Sequence, residues 1–407
     1  MPIRKRSIVA GSLGLDIIPV FPEVRIENTA SLFSQGKFND MCGTRMYLGG
    51  CVGNTGIAMH KLGVPVVLRS KTGGDYLGSI IRNILDTKNI PICLDTVEDC
   101  TSTSTVVIAP FGGDRILLHS RGASQTFVAD DLDETLLREN DHIHFGYPTA
   151  MKYLYRNDGE EFIKLVRKCK EAGLTVSVDT SQPDPGSDAG KADWRKILAD
   201  ALPFIDIFMP SLEEILYMLH KPLFDELNDK RGGGNIIDYI DFSLIPELAS
   251  ELMEMGAKIV LLKVGKKGLY LHTDRAVALR EMGKAAPADV NIWADRRVLC
   301  PPYYTNSIRS TTGAGDNAIA GFLASFLRDD EPETALLLAS ANAVRCIESY
   351  ETTDSVIPLE ELDGQIAALP AQERIFDRES LQWCFNEDFR VYYGTEDRKI
   401  ENQLQEE

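Results

Sequence analysis

Short, continuously apolar runs alternate along the chain with longer segments of helical periodicity. SIVAGS (7–12), VVLRS (66–70), HIHFGY (142–147), LTVSVDT (174–180), IDIFMP (205–210) and KIVLLKVG (258–265) read as strands, most of them apolar throughout. Strands buried on both faces read this way. Between them, EEFIKLVRKCKEAGL (160–174) puts Phe162, Ile163, Val166 and Cys169 on one helical face, and Gly173 is placed to end the helix. IPELASELMEMGAK (245–258) repeats the design with Gly256. The alternation predicts a three-layer α/β/α core around a mostly parallel sheet.

One region breaks the rhythm. In TSTSTVVIAPFGGDRILLHS (101–120), two strand-like runs, 104–109 and 115–119, flank a turn at Gly112, Gly113 and Asp114. A hairpin in this setting predicts a small antiparallel β flap, a lid, with strands from about 98–124 and partners from about 17–46. The core then spans 1–350, with surface insertions at 222–243 and 275–297. Residues 351–407 form an extension with fifteen acids against five basic residues. Its LQWCF and VYYG runs predict packing rather than disorder.

Charge narrows the functions. The 407 residues are 44% hydrophobic and 26% charged, enough for one large core plus appendages or two modest domains. A net charge of −18 argues against nucleic acid and anionic membranes as partners. No apolar run approaches the ~20 residues of a membrane span, and Asp16 interrupts the N-terminal apolar stretch, which reads as a first strand rather than a signal peptide. Eight cysteines without a CxxC pair predict buried, reduced thiols and a cytoplasmic protein.

The chemistry concentrates in IRSTTGAGDNAIAGFLASFL (308–327). Ile319, Phe322, Leu323, Phe326 and Leu327 share a helical face, so a helix begins at about Ala314 to Asp316. Its first turn offers free N–H groups and the positive end of the helix dipole. Gly313 and Gly315 let a ligand approach that backbone, a setting that favours phosphate. Asp316 then stands ready to take a proton from an attacking hydroxyl. A glycine turn with an acid in a helix's first turn is the purely structural alternative, and GAGD alone does not decide between them.

STTGAGDNAIAGF (310–322) is similar to the C-terminal signature of the ribokinase-like (PfkB-type) carbohydrate kinases. The resemblance implies that Asp316 is the catalytic base and that Gly313, Ala314 and Gly315 form the anion hole. GGCVGNTGIAMHKLGVPVVLRSKTGGDYLG (49–78) resembles the family's first signature, which implies a sugar site lined by Gly49, Gly50 and Asn54, with Asp16. FMPSLEEILYML (208–219) matches the N-x-x-E segment and gives Glu214 an indirect role in placing magnesium. VLLKVGKKGLYL (260–271) and SANAV (340–344) suggest Gly265, Gly268 and Asn342 on the nucleotide side, together with Thr312. The family's flap is a lid over the sugar and often a dimer contact. The likeness runs from about residue 7 to about 350.

Several of these positions have plainer readings. Asp16 follows a strand end, where open α/β sheets bind ligands, but an Asx turn fits equally. Asn54 could cap a helix after Gly53. Glu214 is an acid in a helix's first turn, ordinarily just favourable to the dipole. The pattern also departs from the family. Ser310 replaces the Asp that helps hold a monovalent cation, Ser211 replaces the Asn of N-x-x-E, and Asp179 lacks its usual downstream Asn and Arg. His142 and His144 point the same way on a strand; with no Cys or acid at ligand spacing, they read as packed or hydrogen-bonded rather than metal-binding. Neither the Walker pattern nor G-x-G-x-x-G occurs.

The expectation is an ATP- and Mg²⁺-dependent kinase acting on a hydroxyl, a primary CH₂OH, of a small sugar or nucleoside. Two alternatives stand beside it: a non-catalytic sugar- or nucleoside-binding protein on the same fold, and a nucleotide-dependent oxidoreductase.

Overall fold

The computed structural model describes residues 2–24, 32–33, 35–36, 38–109, 116–232, 234–370, 375 and 383–400. The Gly112–Asp114 turn, much of the partner segment 17–46, Gly233 and the first two residues of LQWCF lie outside the described residues. The strands in chain order are β1 (Ser7–Gly11), β2 (Gly14–Val20), β3 (Gly43–Gly49), β4 (Val66–Gly73), β5 (Ile92–Val97), β6 (Ser104–Ile108), β7 (Ile116–Ser120), β8 (His142–Gly146), β9 (Thr175–Asp179), β10 (Ile207–Phe208), β11 (Ile259–Lys263), β12 (Leu269–Thr273), β13 (Arg297–Cys300), β14 (Trp383–Asn386) and β15 (Val391–Gly394).

Eleven of them make one sheet, in the order β14-β15-β13-β12-β11-β10-β9-β8-β1-β4-β5. From β5 to β11 every pairing is parallel. From β11 to β14 every pairing is antiparallel. Side chains alternate between two cores, as the two-residue period of a strand requires. Val9, Ile259 and Leu261 enter one; Ile8, Ala10, Val260 and Leu262 enter the other. Helices Tyr76–Lys88, Ala314–Leu327 and Pro332–Ile347 cover the first face. Helices Glu160–Glu171, Trp194–Ala201, Leu212–Leu219 and Leu244–Glu254 cover the second.

Local sequence explains the boundaries. Helix Glu160–Glu171 buries Phe162, Leu165, Val166 and Cys169, and stops where Gly173 takes φ 81° and Leu174 N–H returns to Cys169 O at 3.2 Å. The lid is a separate four-stranded sheet, β3-β2-β6-β7. Its outer pairings are antiparallel, while β2 and β6 run parallel. It leaves the core directly after β1, so Asp16 rides the second strand rather than the end of the first.

The appended parts are anchored. In the segment after β12, Trp293 is buried with ring centres 5.9 Å from Phe322 and 5.1 Å from Phe326. The acidic tail adds β15 and β14 to the sheet beside β13. Arg296, 2% exposed as a side chain, joins Glu333 at 2.5 Å and Asp397 at 3.1 Å, tying tail, core helix and insertion together. Breaking such a buried set by removing one partner typically costs ~3–5 kcal/mol.

All eight cysteines are free thiols, but only Cys51, Cys169, Cys300 and Cys346 are buried; Cys42, Cys93 and Cys384 are exposed. Among the described residues, no helix is long and apolar enough to cross a membrane.

Candidate active site

The helix expected after the glycine turn runs from Ala314 to Leu327. Gly313 sits before it at φ 77°, and a Cβ there would come 2.5 Å from Thr352 Cγ2, so both backbone and space demand glycine. Ala314 N–H reaches Thr311 O at 3.4 Å, and the first i→i−4 bond runs from Asn317 to Gly313 at 2.9 Å. The amides of residues 313–315 all precede that bond, as the donors outside the ladder of a helix start do, and only Ala314 has the turn bond just named. Instead of exposing one face, the helix is buried from Asp316 to Leu327, because helix Pro332–Ile347 closes its other side. Ser310 braces the turn: its Oγ accepts the Thr312 N–H at 3.2 Å, where a cation-binding carboxylate was the family's choice.

Asp316 is 6% exposed and hydrogen-bonded on both oxygens. Oδ1 accepts from Tyr147 OH at 2.6 Å and Thr55 Oγ1 at 3.2 Å; Oδ2 accepts from Asn54 Nδ2 at 3.0 Å. A carboxylate has about four lone-pair sites, so three protein donors leave one for an acceptor hydroxyl. Burial pushes its pKa up to about 6, Asp179 adds repulsion, and the Tyr147, Lys263 and Asn54 interactions oppose both. Asn54 caps nothing: it lies inside the turn Val52–Gly56, and its Oδ1 accepts from Thr352 Oγ1 at 3.0 Å. Its amide holds the Asp316 carboxylate.

Lys263, the last residue of β11, lies against the same turn. A Cβ on Gly315 would be 3.4 Å from its Cδ and 3.9 Å from its Nζ. The ammonium is 3.9 Å from Asp179 Oδ2. Glu214 belongs to the same charge cluster, with its pKa raised by burial and opposed chiefly by Lys263. Ser211 and Glu214 form a capping box, and Thr180 Oγ1 donates to Glu214 Oε2 at 2.7 Å. One lysine thus faces three acids. A pH profile should read this arrangement. A carboxylate that takes a proton must be ionised, so with Asp316 in the expected role kcat/KM should fall as pH drops through about 6. Asp179→Asn removes a like charge and should move that acid limb to lower pH; an unmoved limb would separate the two carboxylates.

The two histidines are hydrogen-bonded, although the fold brings both a Cys and an acid to them. Cys51, His144 and Asp179 place ligand atoms within 4.8 Å of one another, all buried. Ser7 Oγ meets His142 Nδ1 at 2.8 Å, His142 Nε2 meets Ser177 Oγ at 2.9 Å, and Ser177 Oγ meets His144 Nδ1 at 2.9 Å. Donation in one direction along this relay supplies both Nδ1 atoms and uses His142 Nε2, and leaves His144 Nε2–H facing Asp179 Oδ1 at 3.5 Å. The relay holds a hydrogen toward the acid that repels Asp316. Burial, with Asp179 and Asp316, pushes the Cys51 thiol well up, so it stays protonated.

A cleft of about 1090 Å³ runs from Asp16 under the lid to Thr311, Thr312 and Thr352 at the helix mouth. Gly49 and Gly50 shape its inner end. A Cβ on Gly49 would meet both Asp16 carboxylate oxygens at 2.6 Å, and one on Gly50 would meet Ser12 O at 2.5 Å. Burial pushes Asp16 up to about 6 against a hydrogen bond from Thr105. Thr312, assigned by resemblance to the nucleotide, lines this same cleft at the helix mouth. Gly265 and Gly268 make the β11–β12 turn at φ 51° and 96°. Asn342 is fully buried and gives its Nδ2 to Asn317 O at 2.9 Å, locking two helices. The structure therefore gives Asn342 a packing role in place of the expected contact with the nucleotide.

The model of the pfkB family carbohydrate kinases matches residues 25–359. The chain belongs to the pfkB family of carbohydrate kinases. It is similar to an uncharacterized sugar kinase of Archaeoglobus fulgidus, 25% identical over 72% of this chain and 96% of that one. It is also similar to an ATP-dependent ribose-1-phosphate kinase of Halopiger xanaduensis, 23% identical over 72% of this chain and 78% of that protein. A putative ribokinase II from E. coli, in complex with ATP and Mg²⁺, shares the fold with a TM-score of 0.64 and 18% identity, covering 90% of this chain and all of that one.

In this pfkB-family kinase, the residues that surround the base were the hard ones to foresee. Tyr147 holds φ 65°, which turns it away from β8 toward Asp316. Only its place directly after an apolar strand hinted at a site. Lys263 had a clearer signal: a lone cation ending an otherwise apolar strand, ahead of a glycine turn.

Proposed function

We propose that the kinase transfers the γ-phosphoryl group of ATP to a primary hydroxyl of a small sugar or nucleoside, with Asp316 as base. The observation that carries this reading is the buried Asp316 carboxylate at a helix mouth, with one acceptor position left and a cleft leading from Asp16 to the adjoining turn. In the reaction, the acceptor oxygen forms a bond to the γ-phosphorus, the bond to the β,γ-bridging oxygen breaks, and the hydroxyl proton passes to Asp316. The amides of 313–315 and Lys263 stabilise charge on the transferring group. Asp16, fixed on Gly49, is placed to accept hydrogen bonds from acceptor hydroxyls. The lid excludes water. The names of the relatives, a sugar kinase and a ribose-1-phosphate kinase, support a sugar acceptor.

The acids fit Mg²⁺. Asp179 Oδ1 is buried without a hydrogen-bond partner, and carboxylate oxygens are the hard ligands this ion prefers. Asp179 and Glu214 would hold it or its waters; when bound, it supplies neutralisation of phosphate charge. Release of ADP across a panel of sugars, sugar phosphates and nucleosides tests the activity. ADP release that no acceptor accelerates would overturn it, as would NAD(P) reduction by the same panel.

A further inference from the structure

The cleft continues past Asp16 to a pair of arginines that no acid among the described residues neutralises. Strand register fixes the first. Asp16 pairs with Tyr47 and Ile18 with Arg45 across β2 and β3, so Arg45 lies on the cleft face one pleat repeat beyond Asp16. That is about 7 Å, two residues of strand rise. The second, Arg309, comes from the core segment leading to the anion-hole turn. Its N–H is held by Ile347 O at 2.8 Å. Both guanidinium carbons lie over the ring of Tyr350, Arg45 at 5.1 Å and Arg309 at 5.2 Å from its centre. All three line the cleft.

Among the described residues, neither guanidinium has an ion pair or a side-chain hydrogen bond. Glu23, in the same cleft, pairs with neither of them. In a chain of net charge −18, two cations gathered at one ring without a carboxylate are costly to keep together. Contact with one aromatic ring places both guanidinium groups while leaving their N–H groups without a side-chain partner among the described residues. The transferring phosphoryl group already has its own donors at the helix mouth, with Lys263. The arginines therefore address a second anion, on the lid side.

We infer that this end of the cleft is a phosphate subsite, and that the acceptor is a small sugar already carrying one phosphate monoester. The proposal rests on the kinase reading above and narrows its substrate class. The reactive hydroxyl lies at Asp316, the sugar's other hydroxyls at Asp16, and the existing phosphate between Arg45 on the lid and Arg309 on the core. Each arginine can meet phosphate oxygens bidentately, which a ring hydroxyl cannot match. Binding would also draw lid and core together, since the anion bridges them. The reaction supplying this substrate would be a phosphorylation or phosphorolysis that leaves one monoester on the sugar.

The test measures binding and turnover separately on the full chain. Calorimetric titration compares ribose with ribose 1-phosphate and ribose 5-phosphate, and fructose with fructose 1-phosphate and fructose 6-phosphate. Gluconate supplies a carboxylate and inorganic phosphate a bare anion. At least one phosphate ester should bind ~100-fold more tightly than its parent sugar, and its affinity should fall as salt rises. Arg309→Gln and Arg45→Gln should each weaken that ester ~10–100-fold, and Arg309→Lys should recover part of the loss. Melting temperatures of the unliganded variants establish folding, and the single substitution of exposed Arg45 serves if the Arg309 variant unfolds. No gain for any ester, preference for gluconate, or ester binding indifferent to both substitutions would overturn the subsite. So would equal weakening of a non-hydrolysable ATP analogue, which would put the arginines on the donor. ADP release with a neutral sugar preferred over its ester refutes the inference and leaves the kinase standing; no turnover of any acceptor refutes the kinase itself.

Discussion

Asp316→Asn should lower kcat by ~10²–10⁴-fold, the usual contribution of a positioned base, while the KM for the acceptor changes little. Asn is nearly isosteric with Asp. Its carbonyl can keep the hydrogen bonds now donated by Tyr147 and Thr55 to Oδ1. Its NH₂ would face Asn54 Nδ2, so one supporting bond is lost. The cleft, Asp16 and the amides of 313–315 are untouched by the change. What disappears is the ability to take a proton at a pH above about 6, where the native carboxyl is ionised. The Asp316 part of the acid limb should vanish with it, leaving in kcat/KM only what Asp16, also raised to about 6, contributes. Steady-state ADP release from pH 5 to 8, with the best acceptor found, reads both effects. A variant turning over within about threefold of the native enzyme, with the limb intact, would remove Asp316 from the role of base.

The architecture was legible because it is written in patterns that burial enforces. β1, β8, β9 and β11 are buried on both faces and paired in the interior of the main sheet, although β8 and β9 are apolar on only one of those faces. Gly313 was legible for the same kind of reason, since a positive φ beside Thr352 leaves no alternative residue. Asp16 was expected at a binding site and lines the cleft, but its strand was not legible, because the chain turns from β1 into the lid within two residues. Asn54 was read as a cap or a sugar ligand and instead supports the base. That contact crosses 262 positions of sequence, and no local spacing encodes it. Cys51, His144 and Asp179 escaped for the same reason: three segments, each unremarkable alone, meet only when β8 and β9 pair. Asn342 shows the reverse error. A side chain assigned outward by analogy is fully buried, because its helix packs along the whole length of the helix that begins the site.

Lys263→Met should lower kcat by ~10²–10³-fold, the scale on which single donors to a developing oxyanion act. Methionine preserves the length and apolar stem that pack on Gly315, so the loss isolates the charge. Two consequences follow from the cluster. The transferring phosphoryl group loses the one ammonium placed beside the 313–315 amides. Asp316 loses a neighbour that holds its pKa down, so its acid limb should move to higher pH, opposite to the shift expected for Asp179→Asn. The pair of variants is therefore diagnostic: a lysine that only braces the fold would depress stability without moving the limb. Nor would it matter to nucleotide affinity, which should weaken here, because the ground-state phosphates meet the same charge. Measured above the shifted limb, where Asp316 is fully ionised, the remaining kcat deficit belongs to phosphate stabilisation alone. If kcat recovers to within about threefold of native at that pH, Lys263 acts only through the base and has no part in holding the transferred group.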